Sequence, residues 1–161
     1  MIADGSRLGY SVLARVLSVT DAHDAHGAPE RPQRVLVYSD DRTVRQAVLL
    51  ALGKRPASDL AEIEYVECAT EPAVIAAVDR GGLDLLILDG EAAPAGGMGI
   101  ARQVKDEIFR CPPVLVLIAR PQDAWLATWS RADAVASRPV NPMSLAQTAA
   151  TLLRLRASIT A

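Results

Sequence analysis

The sequence predicts an α/β fold: a doubly wound, five-stranded parallel sheet with helices on both faces. Three observations carry this. Short apolar runs alternate with stretches of helical period five times along the chain. The strongest run, Leu83–Leu88, is apolar on both faces apart from Asp84, as a central strand covered by helices should be. Hydrophobic residues make up 50% of the 161 residues and charged ones 22%, enough apolar material for one core. Strands that alternate with helices join through right-handed crossovers. For five such units the expected arrangement is flavodoxin-like, with strand order 2-1-3-4-5, and ligands belong at the carboxyl ends of the strands.

The elements follow in order. Arg34–Ser39 is an apolar run ending in polar residues, hence a buried strand. Residues 43–54 place Val44, Ala47, Val48 and Ala51 at helical spacing, with Gly53 near the end. Ile63–Cys68 is strand-like. Glu71–Arg80 carries Pro72 in its first turn, where the missing N–H costs nothing, and Gly81-Gly82 stops it. After the central run, the loop Asp89–Gly97 leads to a helix from about Gly99 to Phe109, with Ile100, Val104 and Ile108 inward. Gly96-Gly97-Met98-Gly99 predicts an unusually flexible loop. Val114–Ile118 is a second fully apolar strand, Gln122–Trp129 a short helix and Ala134–Ser137 a short strand. Asn141-Pro142 supplies a cap and a first-turn proline for a last helix striped by Leu145, Ala149, Leu152 and Leu153.

Residues 1–33 differ from the rest. Ser11–Val19 could form a short helix, but residues 20–33 have no hydrophobic period and contain Gly and two prolines, the signature of a linker. The expected division is an extension over 1–33, a domain over 34–156 and a tail over 157–161. A net charge of −2 argues against a nucleic-acid binder, which needs a basic stripe. Two cysteines, Cys68 and Cys111, beside apolar runs fit small buried hydrophobes in a reducing compartment. No apolar stretch reaches membrane-spanning length, and no secretory leader opens the chain. The expectation is a cytoplasmic domain with no nucleic acid or membrane among its partners.

The strand ends hold the chemistry. The first strand is followed by Asp40-Asp41, and the third ends in Asp89, followed by Gly90-Glu91. Each acid alone could be a cap or turn former. In the expected sheet these ends are neighbours, so their carboxylates should converge and repel unless a cation neutralises them. Mg²⁺, a hard ion that takes few carboxylates and several waters, is the natural occupant. The fifth strand ends in Arg138-Pro139, a fixed positive charge able to pair with Asp89 or a phosphoryl oxygen, followed by a proline that fits a cis turn.

These residues resemble the receiver domain of two-component response regulators, over roughly Arg34 to Arg154. The resemblance implies that Asp40 and Asp41 are the metal-binding acidic pair and that Asp89 accepts a phosphoryl group from a sensor histidine kinase or phosphotransfer protein. It implies also that Glu91 offers its backbone carbonyl to Mg²⁺ and that Arg138 stands for the family lysine. The pattern is broken at several places. Ile118 occupies the site of a Ser or Thr whose hydroxyl binds the phosphoryl group, and Val135 that of a switch aromatic. Pro94 falls one residue late. Arginine keeps the charge of lysine but not its geometry. The expected function is a non-enzymatic, stand-alone signalling domain that passes its signal to a downstream protein, because too little chain follows the last helix for a DNA-binding domain. The alternative is a receiver-shaped interaction module that is never phosphorylated. A remoter one is a phosphatase of the haloacid dehalogenase type, which Leu88-Asp89-Gly90-Glu91 faintly resembles.

Trp125 and Trp129, spaced i, i+4, share one helix face, which either packs on the sheet or forms a partner surface. His23 and His26, interleaved with Asp21 and Asp24, lack further ligands and read as solvated residues.

Overall fold

The computed structural model describes residues 31–161. Residues 1–30, and with them the Ser11–Val19 helix and both histidines, lie outside the described residues. The elements are β1 (Gln33–Tyr38), α1 (Arg42–Leu52), β2 (Ile63–Cys68), α2 (Glu71–Arg80), β3 (Leu85–Asp89), α3 (Gly97–Glu107), β4 (Val114–Ile118), α4 (Ala124–Ser130), β5 (Ala134–Ser137) and α5 (Pro142–Thr160). A 3-10 turn, Pro121–Asp123, precedes α4. The five strands are parallel in the order β2-β1-β3-β4-β5, the flavodoxin-like order the sequence predicts.

The sheet separates two hydrophobic layers. Alternate residues of each strand point to opposite faces. Leu36, Leu86, Leu88 and Val116 therefore meet Val74, Ala77, Ile100 and Val104 of α2 and α3. Val35, Val37, Leu85, Ile87 and Leu117 meet Val44, Val48, Leu145 and Leu153 of α1 and α5 on the other side. All four apolar residues of β3, Leu85 to Leu88, are fully buried, and each contributes roughly 1.5–3 kcal/mol by leaving water. The central strand is thus the rigid rail on which Asp89 is carried.

Several boundaries differ from the expected ones. β3 starts at Leu85 because Asp84 turns aside to clamp the start of β1. Its carboxylate accepts hydrogen bonds from Arg34 N (2.9 Å) and from both terminal nitrogens of Arg31 (2.8 and 2.9 Å). Arg31 is thereby tied to a fold expected to begin at Arg34, and Gln33 joins β1, its N–H donating to Glu62 O at 2.9 Å. The expected tail over 157–161 is mostly the last turn of α5, which runs to Thr160. α3 begins two residues early, at Gly97, so the glycines expected to loosen the preceding loop sit in a helical turn. Gly97 itself is required by crowding, since a Cβ there would lie 2.6 Å from the Asp89 carbonyl oxygen. The loop is fastened as well: Tyr38, fully buried, donates from its hydroxyl to Ala95 O at 2.6 Å. α3 ends at Glu107, and Phe109 is left exposed.

Candidate functional site

Four strand ends meet at one pole. β1 and β3 pair with Tyr38 opposite Leu88, so the next residues on each strand, Ser39 and Asp89, come side by side. β4 pairs with β5 through Ile118 and Ser137, and the Ile118 carbonyl accepts from Arg138 N at 2.8 Å. That bond fixes the backbone from which the Arg138 side chain reaches back across the sheet; the Arg138–Pro139 peptide bond is cis, as the sequence predicts.

Asp89, 1% exposed, is the centre of this pole. Its Oδ1 accepts from the Glu91 backbone N–H at 3.0 Å and from Arg138 Nη1 at 3.0 Å. Its Oδ2 accepts from the Ser39 hydroxyl at 2.7 Å and again from Arg138 Nη1 at 3.1 Å. Both oxygens are therefore engaged, and the buried charge is balanced by one guanidinium. Ser39, fully buried, also accepts from Asp41 N at 3.1 Å, and its carbonyl accepts from Arg45 Nη1 at 2.7 Å.

The acidic residues named from the sequence occupy different stations. Asp41 caps α1: its Oδ1 accepts from Thr43 N at 2.7 Å. That backbone N–H, chiefly, holds the Asp41 carboxyl below the usual carboxylate range, with Arg138 adding to the effect. Asp40 is exposed at the strand end, and its charge, secondary to burial, helps to push the Tyr38 hydroxyl pKa up. Glu91 is exposed and reaches Asp89 through its N–H. Among the described residues no group of three His, Cys, Asp or Glu side chains is placed to hold a metal ion. The expected convergence of three carboxylates is thus not formed. One carboxylate is spent on a helix cap, and another is spent on an arginine. As arranged, the residues present do not fit a preformed Mg²⁺ site, because a divalent ion would have to displace Arg138 Nη1 from both oxygens of Asp89.

The remaining positions complete the picture. The Ile118 side chain is buried in the layer with α2 and α3 and offers no hydrogen bond to Asp89. Neighbouring Arg120, which could have supplied one, is paired with Asp123 (Nε to Oδ2 2.9 Å). Val135 is exposed on β5. Trp125 and Trp129 do not pack on the sheet: they are 67% and 52% exposed, and α4 instead buries Ala127 and Ser130. Arg102 of α3 lies over the Trp129 ring, 5.9 Å from its centroid, and donates to the Trp129 carbonyl at 3.0 Å. Cys68 and Cys111 are free thiols whose pKa burial pushes up, which suits inert packing residues. No helix of the described residues is long and apolar enough to cross a membrane.

Sequence reasoning missed Ser39, Arg45 and Tyr38. A signal for the first was present: aligning the two apolar runs by their ends, Val35–Tyr38 with Leu85–Leu88, puts Ser39 opposite Asp89.

No family model matches the sequence. The chain is 59% identical over 121 residues to uncharacterized response regulatory proteins from two strains of Mycobacterium tuberculosis, CDC 1551 / Oshkosh and H37Rv; the match covers 75% of this chain and 91% of each of those proteins. Among solved structures, a CheY-like receiver domain from Methanospirillum hungatei superposes with a TM-score of 0.64 at 18% identity, over 80% of this chain and 98% of that one. The chemotaxis response regulator CheY4 of Vibrio cholerae superposes with 0.62 at 21% identity, over 76% and 99%. The structures share the fold, and the curated relatives leave the phosphatase reading without support. With strand order, Asp89 at the end of β3 and close relatives all in agreement, the chain belongs to the response regulator family, as a receiver domain.

Proposed function

We propose that this receiver domain is a non-enzymatic, cytoplasmic signalling module that works through contact with another protein, with Asp89 kept in a closed ion pair instead of passing through a phosphorylation cycle. One observation supports this reading: both oxygens of Asp89 already accept hydrogen bonds, from Arg138, Ser39 and the Glu91 N–H. A carboxylate nucleophile needs a free lone pair and a counter-charge for the incoming phosphoryl group. Here the counter-charge already sits on the nucleophile. Ile118 and Val135 support the same reading, since Ile118 cannot hydrogen-bond a phosphoryl group and Val135 supplies no switch aromatic.

The second reading is phosphoryl acceptance at Asp89 from a histidine kinase or phosphotransfer protein, with Mg²⁺ drawn to Asp40, Asp41 and the Glu91 carbonyl. It is favoured by the place of Asp89 at the end of β3 and by a guanidinium 3.0 Å away that could pair with a phosphoryl oxygen. Incubation with acetyl phosphate and MgCl2, followed by intact-mass measurement beside an ordinary receiver, decides between them. We expect no mass gain. A gain of one phosphoryl group that disappears in Asp89→Asn overturns the contact-only reading.

A further inference from the structure

We infer that Ser39 and Arg138 together take the place of a divalent cation at the strand ends, and that the side chain at position 39 decides whether this site can bind one. The two residues that directly follow β1 are Ser39 and Asp40, and the sheet register sets the first of them, not Asp41, against Asp89. Ser39 is fully buried and its hydroxyl does two jobs, donating to Asp89 Oδ2 at 2.7 Å and accepting from Asp41 N at 3.1 Å. A hydroxyl satisfies Asp89 and adds no charge. A carboxylate at the same place would set a second buried anion against the first, an arrangement stable only with a cation between them or with one acid protonated. Mg²⁺ binds through a small number of carboxylates and keeps several waters. With Ser39 neutral, Asp41 turned to the α1 cap and Asp89 already paired, Asp40 is the one acid following β1 left without a side-chain hydrogen bond among the described residues, too little to extract the ion from water. The positive charge the pole needs comes from Arg138, whose Nη1 lies 3.0 and 3.1 Å from the two Asp89 oxygens.

This inference concerns metal and not phosphate, so it can fail separately from the function proposed above. A phosphoryl mass gain with no metal response would sink the contact-only reading and leave this one standing.

The test is thermal unfolding of the full chain at matched ionic strength, with and without millimolar MgCl2 or MnCl2. For the unsubstituted protein the midpoint should not move beyond the effect of salt. Ser39→Asp should melt at lower temperature without divalent ion and recover along a saturable curve as the ion is added. A saturable rise in the unsubstituted protein, or a folded Ser39→Asp indifferent to both ions, overturns the inference. Should Ser39→Asp fail to fold under any condition, Mn²⁺-induced broadening of the Asp40 and Asp89 amide resonances of the unsubstituted protein decides it. No site-specific broadening at those residues upholds it, and saturable broadening defeats it.

Discussion

The Asp89 pole and the α4 face make opposite use of their side chains. At the pole, charge is buried and cancelled: Asp89 is 1% exposed and its hydrogen bonds are all internal. On α4, two large aromatic rings stand in water, 67% and 52% exposed, while charged residues beside them are already paired, Arg102 and Arg131 with Asp106, and Arg120 with Asp123. A protein gains little stability from exposed indoles, and large exposed aromatics mark contact surfaces more often than chance. The fold thus keeps its charge internal at the strand ends and its large aromatic rings outward on α4.

The largest effect should come from opening the pole. Arg138→Ala leaves Asp89 buried without its counter-charge and should cost roughly 3 kcal/mol, read as a fall in the midpoint of urea unfolding at neutral pH. A loss near zero would mean that the ion pair does not hold the pole closed. Ile118→Val removes one methylene from the layer under α2 and α3 and should cost about 1 kcal/mol, which tests whether this position serves packing. Thr70→Ala, which deletes the side-chain acceptor for Ala73 N at the start of α2, should cost about 1 kcal/mol, read as a fall in the same urea midpoint.

A pH series reports on a surface ion pair. Asp59, which accepts from Arg154 Nε and Nη2 at 2.7 and 2.8 Å, is pulled down to a pKa of about 2, mainly by those hydrogen bonds. Its folded pKa lies below the ordinary value, so its contribution is present above the ordinary carboxylate range and is lost as pH falls toward 2. In Arg154→Gln the part of acid destabilisation that belongs to this window should shrink, as measured by unfolding midpoints from neutral to acid pH. The smallest change in stability should come from Trp125→Ala and Trp129→Ala, within about 0.5 kcal/mol, because surface substitutions remove little buried area. The same variants should weaken any partner contact made through α4, and native tryptophan emission should already lie near that of solvated indole.

How much of this was legible in the sequence depends on what each feature needs. The strands β2, β4 and β5 and the helix α2 have the residues the sequence predicts, because apolar period and cap residues are local signals. The pole needed one further fact, the residue at which β1 stops. With Tyr38 as its last residue, Ser39 takes the place beside Asp89 and Asp41 falls to the helix cap. Asp89 was legible because it ends a fully apolar strand, and Arg138 because it directly follows the short run Ala134–Ser137. The tryptophans share a face by their spacing, but spacing does not say whether that face meets the sheet; the packing of Ala127 and Ser130 settled it. The glycines after Asp89 were misjudged for a related reason. Composition reports that a backbone can bend, and only close approach reports that it must fit.

That close approach at Gly97 has a mechanical consequence. With 2.6 Å separating any added methyl from the Asp89 carbonyl oxygen, the first turn of α3 rests directly on the strand end with no slack between them. Any side chain placed at position 97 would therefore push the first turn of α3 off the tip of β3, and the displacement would fall on the residue that carries the buried ion pair.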